Sequence, residues 1–219
     1  MSQTLTSAAS IGVLQDAAIG FFGKIPARGD FVQAGLPRTF IEPWDRWMQR
    51  MVAASRSTLG EAWLPAWLEA AVWRFTLSPG ICGPGAVIGL WMPSVDNVGR
   101  YFPLTLAAVV PDADTRGLLR EGGGFLAAAE DAGRDALEKD LAPDDLAARL
   151  AAATMVPLGG AGADPCLCPT DGGLWWTEGA PLVSAGVFAC AGLPVENAFI
   201  DMLVSCSHPR PAFSPEQAR

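Results

Sequence analysis

Apolar residues in this chain gather in short continuous runs broken by glycine and proline, with longer stretches of helical period between them. Residues 18–25 (AIGFFGKI) read as a buried first strand that stops at Pro26 and Gly29. Residues 36–58 carry the period of a helix. Trp44, Trp47, Met48 and Met51 stand at i, i+3, i+4 and i+7, one stripe of a 3.6-residue repeat, while Asp45, Arg46, Gln49, Arg50 and Arg56 fall on the other side. Thr39 suits its N-cap, Pro43 its first turn and Gly60 its end. A shorter tryptophan-rich helix follows over 61–71, where Pro65 fits only near the start.

Three strand-like runs then come close together: 72–77 (VWRFTL), 86–92 (AVIGLWM) and 102–110 (FPLTLAAVV). Their connections are too short for a crossover helix, so the trio is expected to form an antiparallel meander. Residues 124–141 predict a helix with i,i+4 charge pairs such as Arg134 with Glu138 and Asp135 with Lys139. A further helix opens at Pro143 or Asp144 and runs to 153. A glycine- and proline-rich loop over 156–173 leads to strands at 174–177 and 184–190 and a last helix over 194–205. Strands and helices that segregate rather than alternate point to an α+β fold, a largely antiparallel sheet flanked by helices. The expected organisation is one domain over 19–206 between a flexible arm, 1–18, and a flexible proline-rich tail, 207–219.

Composition narrows the function. The chain has 219 residues, 50% hydrophobic and 17% charged, with 8 Trp, enough to build a large core and too apolar for a disordered chain. Apolar residues never run far enough to span a membrane. A net charge of −8 argues against nucleic acid or an anionic membrane as partner. That charge is uneven: residues 1–111 hold 7 acids and 8 bases, whereas 112–149 hold 10 acids and 5 bases. The acidic stretch 121–149 reads first as a solvated face and second as an electrostatic docking face. The first eighteen residues contain no Lys or Arg and no apolar block, unlike a secretory signal, so a cytoplasmic protein with five reduced cysteines is expected.

Familiar catalytic constellations are missing. The one histidine, His208, lies in the tail, without the third group that would orient a catalytic base. Cys166, Cys168, Cys206 and His208 are metal-type ligands, but their one-residue spacings are tighter than zinc sites use. SPGICGPG lacks the Lys-Ser/Thr ending of a phosphate loop and precedes a strand. Asp96 and Arg100 flank the PSVDNVGR turn, either as a carboxylate cap and ion pair or as a partner contact. Arg74, alone inside an apolar strand, needs a carboxylate if buried, and Asp30 and Asp45 are the candidates. Trp175 and Trp176 must point to opposite faces of their strand, one into the core and the other exposed or covered by a partner.

The segments GFFGKIPARGDFVQAGLP, WDRWM, WRFTLSPG and MPSVDNVGRYFPLTLA, with LWW and AGLPVENAFIDML further on, resemble the TagF (ImpM) family of type VI secretion-associated proteins. The resemblance covers about 19–203. It departs from the usual pattern at Asn97, where arginine is common. It implies a cytoplasmic accessory regulator, a post-translational repressor of type VI secretion that binds an Fha-type forkhead-associated scaffold. It implies no active site, cofactor or metal. Arg28, Asp30, Asp96 and Arg100 are the polar matches and, with Trp175 and Trp176, the expected partner-binding residues. The rival expectation is a small anionic ligand, or weak enzyme chemistry, clamped by Arg74 and Arg100.

Overall fold

The computed structural model describes residues 16–152 and 163–204. Among them seven strands form one sheet in the order β2-β1-β5-β4-β3-β6-β7, with every neighbouring pair antiparallel. The strands are β1 (Ala18–Gly23), β2 (Val32–Ala34), β3 (Trp73–Leu77), β4 (Ala86–Met92), β5 (Leu104–Val110), β6 (Gly173–Thr177) and β7 (Gly186–Cys190). The expected meander is present as β3-β4-β5. Strand β2 was not expected; a three-residue pair to β1 is too short to show a period.

Among the described residues six helices cover the sheet: α1 (Arg38–Leu59), α2 (Trp63–Leu68), α3 (Thr115–Glu121), α4 (Gly123–Glu138), α5 (Pro143–Ala151) and α6 (Glu196–Val204). One face packs under α1, α2 and α6, with Trp44, Trp47, Trp67 and Phe199 against Phe75, Trp91 and Trp175. The opposite face packs under α3, α4 and α5, with Leu118, Phe125, Ala129 and Leu146 against Ile88, Leu90, Leu106 and Trp176. Both faces being covered explains why β4 and β5 are buried at every position and read as continuous apolar runs.

Local departures from expectation have local causes. Helix α1 starts at Arg38 behind Pro37, so Thr39 is no cap, and Pro43 sits in the second turn. The stretch before α4 forms the separate helix α3. Asp114 caps it, its carboxylate accepting the Gly117 N–H at 2.7 Å. Among the described residues, no helix is long and apolar enough to cross a membrane. The expected arm, tail, Cys206 and His208 lie outside the described residues, apart from the arm's last three positions.

Candidate functional site

At one end of the sheet the connection from β1 to β2 meets the connection from β4 to β5. Gly23, with φ 145°, crosses so close to Pro103 that a Cβ would lie 2.1 Å from its carbonyl oxygen. Glycine alone fits there. The two connections are then laced together. Ser94 Oγ donates to the Lys24 carbonyl at 2.7 Å, and the Asn97 N–H donates to the Arg28 carbonyl at 3.1 Å. Val95 bridges Tyr101, and Gly99, with φ 85°, turns the chain between them.

Asp96 sits at the centre of this lacing and is 3% exposed. Its Oδ1 accepts the backbone N–H of Val98 at 3.1 Å and of Arg100 at 2.8 Å. Its Oδ2 accepts Arg100 Nε at 2.8 Å and the ammonium of Lys24, itself buried. Burial alone would raise the pKa of Asp96. The Lys24 ammonium, followed by the donors of Arg100 and Val98, outweighs burial and holds the carboxyl well below its ordinary range. Arg100 in turn donates to the Gly29 carbonyl and lies 3.8 Å from Asp30.

This arrangement separates the sequence-predicted residues into two classes. Arg28, Asp30 and Arg100 reach solvent around one clamped backbone. Asp96 does not: its charge is consumed internally, because a buried carboxylate must be answered by donors. Asn97 presses its side chain against Gly29, where a Cβ would come within 2.9 Å of Oδ1. Phe31 and Val98, not expected as site residues, stand out at 46% and 65% exposed. Phe31 stacks on Phe22 with centroids 5.5 Å apart, meets Phe102 edge-on at 4.8 Å, and has the Lys24 ammonium 4.7 Å from its ring centre. The available signal was an aromatic residue directly after the Gly-Asp turn.

Two further expectations are corrected. Trp175 and Trp176 do point to opposite faces, but both are buried, at 0% and 2% exposed. With helices on both sides of the sheet, the chain itself covers the indole assigned to a partner. Trp175 packs with Trp44, Trp47, Phe75 and Phe188, and Trp176 lies in the opposite layer. Arg74 pairs with neither Asp30 nor Asp45. It meets Glu130 of α4 at 2.6 Å and Glu178 at 3.0 Å. Of the zinc-type ligands, Cys166 is exposed, while the Cys168 thiol is buried 3.0 Å from the Thr115 hydroxyl.

Residues 20–153 match the family described as the TagF N-terminal domain, type VI secretion system-associated. Among solved structures, the crystal structure of PA0076 from Pseudomonas aeruginosa PAO1 is similar to this chain, with a TM-score of 0.74 at 35% identity, over 90% of this chain and 98% of that one. No curated protein is similar enough in sequence to count as a match. The matched stretch contains both connections of the site, four of the seven described strands and most of a fifth, β1. The likeness to PA0076 extends over most of the chain. This chain belongs to the TagF family of type VI secretion system-associated proteins.

Proposed function

We propose that this chain is a cytoplasmic accessory regulator that represses type VI secretion post-translationally, without catalysis, by binding an Fha-type forkhead-associated scaffold protein. The observation that supports this reading is the pairing of a stiff backbone with exposed mixed chemistry. Arg28, Asp30, Phe31, Val98 and Arg100 stand on two connections fixed by the buried Lys24–Asp96–Arg100 cluster. A surface already ordered in the free protein loses little conformational entropy on docking. Repression then follows from mass action: scaffold held here is withheld from assembly. Lys24, Asp96 and Arg100 are engaged in holding the backbone, which suits binding better than proton transfer. The anion-clamp alternative gains no support from geometry, since Arg74 and Arg100 each face carboxylates and no described contact joins them.

The test is calorimetric titration of purified Fha-type scaffold into the wild-type chain and into an Arg28→Glu/Val98→Asp variant. Both positions are exposed, so the fold should survive, as an unchanged melting temperature would show. Binding is expected to weaken by about tenfold or more. Equal affinity in the folded variant would move the interface elsewhere. Asp96→Ala is a poor probe, because it dismantles the clamp as well as any contact.

A further inference from the structure

Beside the clamped turn lies an open groove of about 440 Å³ between α1 and the residues that follow Gly99. Its floor is apolar, built by Val52, Ala53 and Phe102, and its polar rim is Gln49, Arg56 and Arg100. No acidic residue lines it. Gln49, Ala53 and Arg56 stand at i, i+4 and i+7 on the solvent side of α1, and Arg46 and Arg50 continue the same exposed stripe. Arg56 lies over Trp63, its guanidinium carbon 4.0 Å from the ring centre, and 5.8 Å from that of Tyr101. The attraction between guanidinium and ring holds the cation in place beside the groove. Arg46, Arg50 and Arg56 have no carboxylate partner among the described residues. At the rim Arg100 is paired with Asp96 and Gln49 donates to Asp45, so Arg56 is the cation that the groove offers to a partner, beside an apolar floor.

We infer that this groove takes an extended acidic segment of a protein partner, an aspartate or glutamate side chain engaging Arg56 while a neighbouring apolar side chain rests on Val52, Ala53 and Phe102. The volume is of the size that ligand clefts have. A carboxylate can accept bidentately from a guanidinium. The apolar floor distinguishes such a segment from a free anion, which would gain nothing from Val52 and Phe102. The inference rests on the reading above that the protein acts by binding another protein, and it names the chemistry that a partner must bring.

Fluorescence anisotropy with a fluorescein-labelled decapeptide of alternating glutamate and leucine tests it. The wild-type chain is expected to bind this peptide at least about tenfold more tightly than its glutamine-for-glutamate counterpart, with affinity falling as salt rises. Arg56→Gln and, separately, Gln49→Glu should each weaken binding by about tenfold. Arg116→Gln, at an exposed arginine on α3, should leave it unchanged. Gln49→Glu gives up the bond that the Gln49 amide donates to Asp45 at 2.9 Å, on an exposed helix face, and an unchanged melting temperature separates its effect on binding from misfolding. No binding at millimolar protein, equal binding of the glutamine peptide, an equal loss from Arg116→Gln, or displacement by inorganic phosphate at concentrations that merely match the peptide's would each overturn the inference. Peptide binding that persists in Arg28→Glu/Val98→Asp while scaffold binding is unaffected would instead move the scaffold interface and leave the groove intact.

Discussion

A carboxylate taken out of water needs donors, and Asp96 has four, from Lys24, Val98 and Arg100. Replacing Lys24 with Met leaves that carboxylate with Arg100 as its only cation. Urea denaturation should register a loss of about 3 kcal/mol, the low end for breaking a buried pair, because Arg100 and two backbone N–H groups stay in place. The same cluster sets an acid limit. Because the folded carboxyl is held below its ordinary value, the unfolded chain binds the proton first as pH falls. The stabilisation is therefore complete above about pH 4 and drains away as pH drops toward the folded value. Asp135, lowered by Lys139 and Arg149, acts in the same direction. Urea midpoints between neutral and acid pH should show a shallower acid limb for Asp96→Asn than for wild type. Thiol chemistry separates the described cysteines in a similar way. Burial pushes the Cys82 thiol up to about 12. Burial, partly offset by the Trp175 indole, pushes Cys190 up to about 11. Cys166 is exposed. Peptide mapping after brief native alkylation should find Cys166 modified well before Cys82, Cys168 or Cys190.

At the scale of elements, α1 is docked by aromatic stacking more than by its own capping. Trp44 stacks on Phe40, Phe75 and Trp175, with centroids 4.7 to 6.1 Å apart, and its indole N–H donates to Thr105 in β5 at 2.9 Å. Trp44→Ala should cost about 4 kcal/mol in urea titrations, through the lost area and the cavity left at the centre of one layer. The stripe of Trp44, Trp47, Met48 and Met51 was legible because a buried helix face must repeat every 3.6 residues. The burial of both Trp175 and Trp176 was not legible. Alternation along a strand says that neighbouring side chains diverge, but which faces of the sheet carry helices is decided by elements remote in sequence. The salt partner of Arg74 was hidden for the same reason, since Glu130 lies on the far side of the β4–β5 pair in sequence and comes over the sheet only when α4 packs down.

Across the whole molecule, the two layers of helices differ in charge. The stretch 112–149, which holds α3, α4 and most of α5, carries 10 acids and 5 bases. The region before it, with α1 and both connections of the site, is close to neutral. Partner binding through the less acidic side is therefore expected to weaken as salt rises, in a titration repeated at several ionic strengths, if the partner presents acid to Arg28 and Arg56. A protein reading nucleic acid would reverse that distribution and carry its charge as an overall basic excess.

The order of the longer strands and helices, the antiparallel meander, the apolar stripe of α1 and the family resemblance were all written in local pattern, whereas the short β2 and α3 were not. Periodicity, chain breaks and short connections act within a few residues of one another. The internal role of Asp96, its bond to Lys24, the coverage of both tryptophans and the exposure of Phe31 and Val98 belonged to the tertiary structure. They depend on which segments distant in sequence come together, and burial and charge pairing are settled only when those surfaces meet.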